Sequence, residues 1–277
     1  MSGSRVYLDH NASAPLTNSC RKAMADVMDS SGNASSIHSE GRRNRFLIEN
    51  SREKIACFLG AKPENLFFTS GATEGAAVLL NERKYSCAEI EHSCVGTWCD
   101  KSLSVSKNGK VKSGDLRRCA VQLANSETGI LQNLVKGLYM SDIVQAVGKI
   151  PFSFQETGIR SAIISAHKIG GPQGIGAVIT EDNFEINPLF LGGGQEKGRR
   201  SGTESLILIV GFSAAIEFAK TQLEDGFLEK VEELRDFLED ELANISPNTI
   251  FVGKGGARLP NTSCFLTPGW PGQVQVM

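Results

Sequence analysis

The sequence predicts an α/β fold in which a mainly parallel sheet is covered by helices. Short apolar runs that end in polar turns recur along the chain, and stretches with helical spacing of apolar residues lie between them. Alternation of strand, turn and helix is typical of a parallel sheet buried under helices. A length of 277 residues is enough for one large domain or two smaller ones.

The individual elements follow from turn residues and from apolar spacing. Thr17 or Asn18 can cap a first helix, and Gly60 is a natural stop for a second one. Leu66, Phe67 and Phe68 form an apolar run of strand length. In chain order we predict a strand at Val6–Leu8, helices at Thr17–Met28 and Ser39–Leu59, a strand at Asn65–Thr69, a helix that opens at Ser70–Gly75, strands at Ala120–Ala124, Tyr139–Ser141 and Ile163–Ser165, a helical stretch at Phe212–Ala243, and a last apolar strand after a loop at Gly253–Ala257.

The overall composition of the chain excludes several classes of function. The net charge of −2 gives no reason to expect a nucleic-acid partner. The chain has no run of about 18 apolar residues, so we expect no membrane span. The amino terminus lacks the apolar core of a signal peptide, which predicts a cytoplasmic protein. The seven cysteines are scattered without a Cys-x-x-Cys pair, so we expect reduced packing residues and no metal site.

The segment Ser-Ala-His-Lys-Ile-Gly-Gly-Pro at 165–172 carries the strongest chemical signal. Lys168 lies in it between two apolar runs, so its stem can be held while its amine is desolvated. Desolvation lowers the pKa of a lysine and makes its amine a nucleophile toward an aldehyde. The alternative, from the residues alone, is a surface lysine on a glycine-rich turn.

Asp142 lies 26 residues before this lysine, at the end of another short apolar stretch. A lysine that forms a Schiff base and an acidic partner for a pyridinium nitrogen are the minimal set for pyridoxal phosphate chemistry. The aspartate would keep the ring nitrogen protonated through a charge-assisted hydrogen bond. Because Asp142 precedes an apolar stretch at 143–147, it can also be a helix cap.

The turn Ser70-Gly71-Ala72-Thr73 lies between a predicted strand and the start of a helix. Backbone N–H groups at a helix N-terminus bind phosphate well, and the Thr73 hydroxyl can add a donor. Alternatively, Glu74 makes an ordinary capping box with this turn.

Three other features have both a chemical and a structural interpretation. His92 can stack on a planar cofactor ring or be a structural histidine. Asn125 can donate to a cofactor oxygen or make an Asx turn. In the loop at 192–203, glycines let the backbone approach a ligand closely, and arginine and threonine side chains can touch a phosphate or another subunit. By composition alone it is a polar loop.

Eight segments match one enzyme family in order as well as in type. They are 7–12, 32–38, 68–74, 91–92, 125–129, 142–149, 165–168 and 192–203. Together they resemble the cysteine desulfurases, a branch of the class V aminotransferase group of pyridoxal 5′-phosphate (PLP) enzymes. The loop with Gly-Gly-Gly and Arg-Ser-Gly-Thr is the most specific of the eight.

The resemblance implies the type I PLP-dependent transferase fold, with three α/β/α layers around a mostly parallel sheet. Residues 1–245 would form the large, PLP-binding domain, with 1–20 able to pack against the small domain. Residues 246–277 would begin that small domain, which would be largely missing. The implied cofactor is PLP, the implied substrate is L-cysteine, and the implied assembly is a homodimer.

The resemblance also implies a role for each motif residue. Lys168 forms the Schiff base with PLP and, with His92, moves protons. His92 also stacks on the ring, and Asp142 pairs with the pyridine nitrogen. Asn125 and Gln145 contact the side of the ring that carries the phenolic oxygen. The phosphate is held by Ala72, Thr73, Ser165 and His167, and by Thr203 of the partner subunit.

Two departures from the family pattern bear on activity. By resemblance, the catalytic cysteine and the arginine that grips the substrate carboxylate lie beyond Met277, and none of the seven cysteines present corresponds to the former. The stretches 92–125 and 132–142 are shorter than usual, and 133–139 is too short for a βαβ crossover, which takes a dozen or more residues. We expect a chain that binds PLP but, as a lone polypeptide, does not desulfurate cysteine at an ordinary rate.

The expected function is that of a PLP-dependent, cysteine desulfurase-like protein. The family reaction converts L-cysteine to L-alanine and transfers the sulfur for iron–sulfur cluster or thio-cofactor assembly, with a scaffold protein as sulfur acceptor. One alternative is a non-catalytic remnant of the fold that binds PLP or a partner. Another is a selenocysteine lyase or other class V aminotransferase, although the Arg-Ser-Gly-Thr segment argues against a general aminotransferase.

Overall fold

The computed structural model describes residues 6–112 and 114–272. The helices are α1 (Asn18–Ala25), α2 (Ser39–Phe58), α3 (Ala72–Leu80), α4 (Ser93–Gly96), α5 (Phe154–Thr157), α6 (Leu206–Glu224) and α7 (Phe227–Ile245). The strands are β1 (Leu66–Thr69), β2 (Ser86–Ala88), β3 (Asp100–Leu103), β4 (Ser141–Asp142), β5 (Ser161–Ser165), β6 (Gly176–Thr180), β7 (Ile250–Phe251) and β8 (Phe265–Leu266).

The central sheet has the order β1-β6-β5-β4. β4 and β5 pair in parallel, whereas β6 pairs antiparallel with both β5 and β1. β1 therefore points the same way as β4 and β5, and β6 is the reversed strand. The segment 119–123 extends the sheet beyond β4. Cys119 makes a parallel bridge to Ser86 of β2, and Ala120 makes another to Met140, just before β4. β2 in turn pairs in parallel with β3. The predicted α/β fold with a mostly parallel sheet is confirmed.

Helices cover both faces of this sheet. Every residue of β1, β5 and β6 is buried, as expected for strands covered on two sides. Phe68 and Ile164 face a cluster that includes Ile55 of α2 and Phe212 of α6. Phe67 and its neighbours on the other face pack in a cluster with residues of α3. The result is the three-layer arrangement that the resemblance implied.

The ends of the first two helices follow the sequence signals. The Thr17 hydroxyl accepts a hydrogen bond from the Cys20 N–H at 3.2 Å and caps α1. Gly60 follows α2 with a φ of +61°, in the left-handed region that glycine tolerates best. The predicted strand at Val6–Leu8 is wrong: this stretch has no strand pairing, and Leu8 is 82% exposed, so no partner fixes it as a strand.

The long helical stretch predicted from Phe212 to Ala243 is two helices. α6 begins at Leu206, earlier than predicted, and ends at Glu224, and α7 begins at Phe227. Gly226 lies between them with a φ of +67°, a left-handed conformation that interrupts a right-handed helix. Charged residues lie on both sides of Gly226, so the sequence pattern looks continuously helical across the break.

The link between the segment 119–123 and β4 contains no helix within the described residues. The chain makes turns there, with a bridge between Ala124 and Leu131 and another between Ile130 and Arg258. The parallel pairing nevertheless forms, because the Val121 N–H donates to Met140 O at 3.1 Å and the Leu123 N–H to Asp142 O at 2.8 Å. The missing crossover helix was therefore predicted correctly, and the sheet stays continuous without it.

Helix α6 is long and apolar enough to cross a membrane by length and composition alone. In the fold it packs against α1 and α2. Phe212 and Ile216 on its inner face are almost completely buried. These contacts identify α6 as a helix of the layer that covers one face of the sheet, with its inner side in the hydrophobic core.

Helix α7 is tied to the chain that follows it. Arg258 donates two hydrogen bonds to the buried Glu239 carboxylate, at 2.5 and 2.7 Å. Ser263 donates to the same carboxylate, and Arg235 donates to the Leu259 carbonyl. The division of the chain into domains at residue 245 stays a prediction, and these contacts join α7 to the residues after it.

Candidate active site

A cavity of about 560 Å³ opens where β1, β4 and β5 end. Ligands of open α/β sheets bind at the carboxyl ends of the strands. Because the three strands share one direction, the polar residues that follow them converge there. Eight of the ten residues predicted to bind the cofactor line this cavity: Ala72, Thr73, His92, Asp142, Gln145, Ser165, His167 and Lys168.

Lys168 reaches the cavity from a single 3₁₀ turn at 166–168 that follows β5. Its amine donates to the backbone carbonyl oxygens of Asn11, at 2.6 Å, and Ala12, at 2.9 Å. Burial lowers the pKa of Lys168, and the negative charge of Asp142 acts in the opposite direction. The lysine is therefore held inside a cavity and is not the surface lysine of the alternative interpretation.

Asp142 ends β4 and is 9% exposed. Its Oδ1 accepts a hydrogen bond from the Val144 N–H at 2.9 Å. Burial raises its pKa, while this hydrogen bond and the positive charge of Lys168 act to lower it. The carboxylate thus caps a turn, not a helix, and also faces the cavity.

The start of α3 forms another wall of the cavity. Gly71 precedes the helix, and α3 has no side-chain cap. The first N–H groups of a helix have no intrahelical acceptor. The Glu74 carboxylate is already bonded to the Ser70 N–H at 2.8 Å and to Arg200 at 2.9 Å. The predicted capping box is therefore half formed, and the N–H groups at the start of the helix remain available for an anion.

Two residues just before the lysine, Ser165 and His167, and the histidine after β2 complete the polar lining. Ser165 is buried at the end of β5, and its Oγ lies 3.9 Å from the place that a Cβ on Gly71 would occupy. The Nδ1 atom of His167 lies 3.3 Å from the Oγ atom of Ser13. Burial lowers the pKa of the His167 imidazole. The Nδ1 of His92 accepts the Cys94 N–H at 3.2 Å, so this histidine also caps α4.

Two predicted residues lie outside the cavity lining. Asn125 uses its side-chain oxygen to accept the N–H groups of Glu127 and Thr128 and the Thr128 hydroxyl, and its amide donates to Ile90 O. This is the Asx-turn interpretation. Thr203 lines a smaller cavity of about 140 Å³, which shares Ser70 and Gly174 with the larger one.

The loop that carries Thr203 is anchored by a buried ion pair. The Glu196 carboxylate accepts hydrogen bonds from Arg52 at 2.7 and 2.8 Å and from the Phe68 N–H at 2.9 Å. Arg200 bonds to Glu74 of α3. These contacts fix the loop beside the end of β1, next to the cavity. The sequence marked the loop by its glycines but gave no sign of this anchor.

The sequence assigned no role to Lys149 or to Cys94, which lie near the cavity. Gln145 donates to Asn11 O at 2.9 Å and accepts from the buried Lys149 amine at 2.7 Å. Burial lowers the pKa of Lys149 to about 7. Cys94 lines the cavity, and burial raises the pKa of its thiol to about 12. The four-residue spacing of Gln145 and Lys149 was the one available signal for their pairing.

Comparison with known proteins shows which family this chain resembles over most of its length. The Aminotransferase class-V family model matches residues 6–97 and 116–273. Cysteine desulfurase IscS of Dictyoglomus turgidum is 35% identical over 94% of this chain, which spans 75% of that relative. A NifS-like protein superposes with a TM-score of 0.89 at 30% identity, covering 98% of this chain and 84% of its own. A structure titled SspA in complex with cysteine has a TM-score of 0.70 at 28% identity and covers 77% of this chain and 72% of its own.

These matches span most of the chain and include a relative above 30% identity of which the chain covers three quarters. The TM-score of 0.89 shows that the NifS-like protein shares the overall fold. The chain therefore belongs to the cysteine desulfurase family of class-V aminotransferases, a family of enzymes that depend on pyridoxal 5′-phosphate.

Proposed function

We propose that the cavity beside Lys168 binds PLP and that the substrate is L-cysteine. One observation carries the proposal: a lysine amine of lowered pKa, a buried carboxylate and an uncapped helix N-terminus line the same cavity. The lysine and the carboxylate are the minimal set for PLP chemistry, and the helix N-terminus is a site for the phosphate. A relative whose structure is titled as a complex with cysteine supports the choice of substrate.

The residues present fit the chemistry of PLP. Asp142 is a buried carboxylate whose pKa is raised by desolvation, so a cation beside it would offset the burial. A protonated pyridine nitrogen is such a cation. The start of α3 presents N–H groups and the positive end of a helix dipole to a phosphate. PLP, when bound, withdraws electrons from an attached amino acid and so weakens the bonds at its Cα.

Lys168 would be the residue that is covalently attached to PLP. Burial lowers its pKa, so a larger fraction of its amine is neutral near neutral pH than for a solvated lysine. The carbonyl oxygens of Asn11 and Ala12 orient the amine before attachment. As a free amine, Lys168 would accept and return a proton at the substrate, with His92 as the second proton carrier.

The remaining predicted contacts stay proposals of the same kind. Ala72, Thr73, Ser165 and His167 would hold the phosphate, and His92 would cover one face of the ring. Gln145 would donate to the phenolic oxygen. Asn125 was predicted to do the same, but three donors of its own turn occupy its amide oxygen. Its contact would therefore depend on the amide nitrogen, which now donates to Ile90 O.

The oligomeric state, the sulfur acceptor and the cellular compartment are also proposals. We infer a homodimer in which Thr203 of the partner subunit reaches the phosphate, because Thr203 lies outside the cavity of its own chain. A scaffold protein that takes sulfur for iron–sulfur cluster or thio-cofactor assembly is the proposed acceptor. The free cysteines of the described residues fit a reducing compartment, for which we propose the cytoplasm.

A second candidate function is PLP binding without turnover. The observation that favours this candidate is the protonation state of the cysteine in the cavity. Cys94, which lines the cavity, has a thiol pKa raised to about 12 by burial. A thiol and not a thiolate therefore faces the cavity at neutral pH, and only a thiolate attacks sulfur well.

The test is reconstitution of the purified chain with PLP. We expect a visible absorbance band that differs from that of free PLP, and a covalent adduct at Lys168 after borohydride reduction, located by mass spectrometry. Lys168→Ala should lack both, whereas the exposed-lysine control Lys107→Ala should keep both. Absence of the adduct from the wild-type chain would overturn the proposal. With a dithiol reductant present to release the sulfur or selenium, alanine with sulfide from cysteine, or with selenide from selenocysteine, then distinguishes the candidate activities.

A further inference from the structure

We propose that Lys149 is a positioning residue that fixes the side-chain amide of Gln145 for the bound cofactor. This inference rests on the proposed function, because Gln145 is taken there to donate to the phenolic oxygen of PLP. Lys149 itself does not line the cavity. It acts on the site only through its contact with Gln145.

The geometry defines the orientation of the amide. The Lys149 amine donates to Gln145 Oε1 at 2.7 Å, and Gln145 Nε2 donates to Asn11 O at 2.9 Å. The protonated amine of Lys149 has no lone pair and can bond only to the amide oxygen, and a backbone carbonyl can accept only from the amide nitrogen. Both ends of the amide are therefore specified, and a flipped amide would place an oxygen against the Asn11 carbonyl oxygen.

The same carbonyl oxygen also accepts the Lys168 amine, at 2.6 Å. Gln145 Nε2 and Lys168 Nζ thus converge on one acceptor at the edge of the cavity. Attachment of Lys168 to the cofactor would remove its bond to Asn11 O. Among the described residues, Gln145 Nε2 would then be the remaining side-chain donor on that carbonyl, with its direction maintained by Lys149 from the other side.

The burial of Lys149 argues against a purely structural role. The residue is 8% exposed, and its one hydrogen bond from the amine among the described residues is the bond to Gln145. A buried amine with three donor positions and one acceptor is costly, and an apolar side chain of similar length would fill the space without that cost. Burial and the nearby Lys168 lower its pKa, and the amine can donate in either protonation state.

The first test uses the protein without cofactor, so that it does not depend on PLP binding. Selective ¹⁵N-glutamine labelling should reveal a side-chain NH₂ signal assigned to Gln145 by its loss in Gln145→Leu. We expect its exchange with solvent to be at least tenfold faster in Lys149→Met, which keeps the length of the stem but has no donor. Lys107→Met is the exposed control and should leave the signal unchanged. Unchanged exchange in a folded Lys149→Met would overturn the proposal.

The second test is a double-mutant cycle on the reconstituted protein. If Lys149 acts through Gln145, Lys149→Met should weaken PLP binding and shift the pH midpoint of the cofactor band in the wild-type background but have no added effect on Gln145→Leu. Additive effects would contradict the inference. Lys149→Gln, which keeps an N–H donor, should recover part of the wild-type spectrum and serves if Lys149→Met does not fold. Failure of wild type itself to form a band counts against the proposed function and leaves the exchange test to decide on Lys149.

Discussion

The Lys168 amine lies 2.6 Å from the backbone carbonyl oxygen of Asn11, a residue 157 positions earlier in the chain. The Asn11 side chain is itself fixed, because it donates to the Thr262 hydroxyl at 3.0 Å and accepts from Asn261 at 2.9 Å. Three distant parts of the chain therefore meet at this one residue. The position of the lysine depends on the amino-terminal segment and on the residues after α7.

We predict that Asn11→Ala loosens this junction. The side chain also donates to Ser126 O at 3.4 Å, and the loss of these three hydrogen bonds should lower the free energy of unfolding by roughly 1–3 kcal/mol, measured by urea denaturation. Asn108→Ala is a suitable control, because Asn108 is exposed in a turn and a surface substitution changes stability by less than about 0.5 kcal/mol. Equal stability of the two variants would show that the junction does not stabilise the fold.

Because the pKa of Lys149 is lowered in the folded protein, we predict that the free energy of unfolding rises with pH. Its pKa is lowered from an ordinary value of 10.5 to about 7. Between these values the unfolded state holds a proton that the folded state has lost, so the free energy of unfolding rises with pH, by at most about 1.4 kcal/mol per pH unit for one group. We expect Lys149→Met to remove this part of the slope between pH 7 and about pH 8.5.

The measurement is urea denaturation of both proteins at several pH values in that window. The difference between them isolates Lys149, since Lys168 and His167, whose pKa values are also lowered by burial, are common to both. A slope that Lys149→Met leaves unchanged would mean that Lys149 titrates in the folded protein as it does in solvent.

The Arg52–Glu196 ion pair should stabilise the loop that carries Thr203. Both side chains are buried, and the Glu196 backbone is held at a φ of +50°, which is uncommon for a residue other than glycine. Glu196→Gln leaves the Arg52 charge without its main partner. We expect the free energy of unfolding to fall by roughly 3 kcal/mol, because the half-exposed Glu49 still neutralises part of the charge.

The matched control is an exposed ion pair. Lys22 bonds to Asp26 at 2.7 Å on the surface of α1, and Lys22→Gln should change stability by less than about 1 kcal/mol. Urea denaturation measures both variants. A Glu196→Gln protein that is as stable as the control would contradict the anchoring role of the buried pair.

Gly226 is required by the turn between α6 and α7. Its φ of +67° lies in the left-handed region, where a Cβ is unfavourable. We expect Gly226→Ala to lower the free energy of unfolding by roughly 1–2 kcal/mol. Gly255→Ala is the control, since Gly255 has no positive φ and no atom within 4 Å of an added Cβ. Thermal unfolding followed by circular dichroism compares the two.

The purified 277-residue chain should release little sulfur from cysteine. The cavity thiol of Cys94 is protonated at neutral pH because burial raises its pKa. We expect alanine and persulfide near background after reconstitution with PLP, and no change in Cys94→Ser. Alanine formation at the rate of an ordinary cysteine desulfurase would contradict this expectation.

The sequence determined the main chemical groups and their common location. Lys168, Asp142 and the start of α3 each follow an apolar run, and runs that become parallel strands bring their carboxyl ends to one edge. Spacing also gave the cap at Thr17 and the absence of a crossover helix before β4. These features are local, because they depend on the residue types within a few positions of the chain.

Only the tertiary structure decided which partners hold those groups. The Asn11 carbonyl binds both Lys168 and Gln145, and the Glu196 carboxylate binds Arg52, and no local pattern in the sequence encodes these long-range contacts. Periodicity reports which side of an element is buried but not what it is buried against. The path of the chain through space sets those contacts, and with them the pKa values and hydrogen bonds of the site.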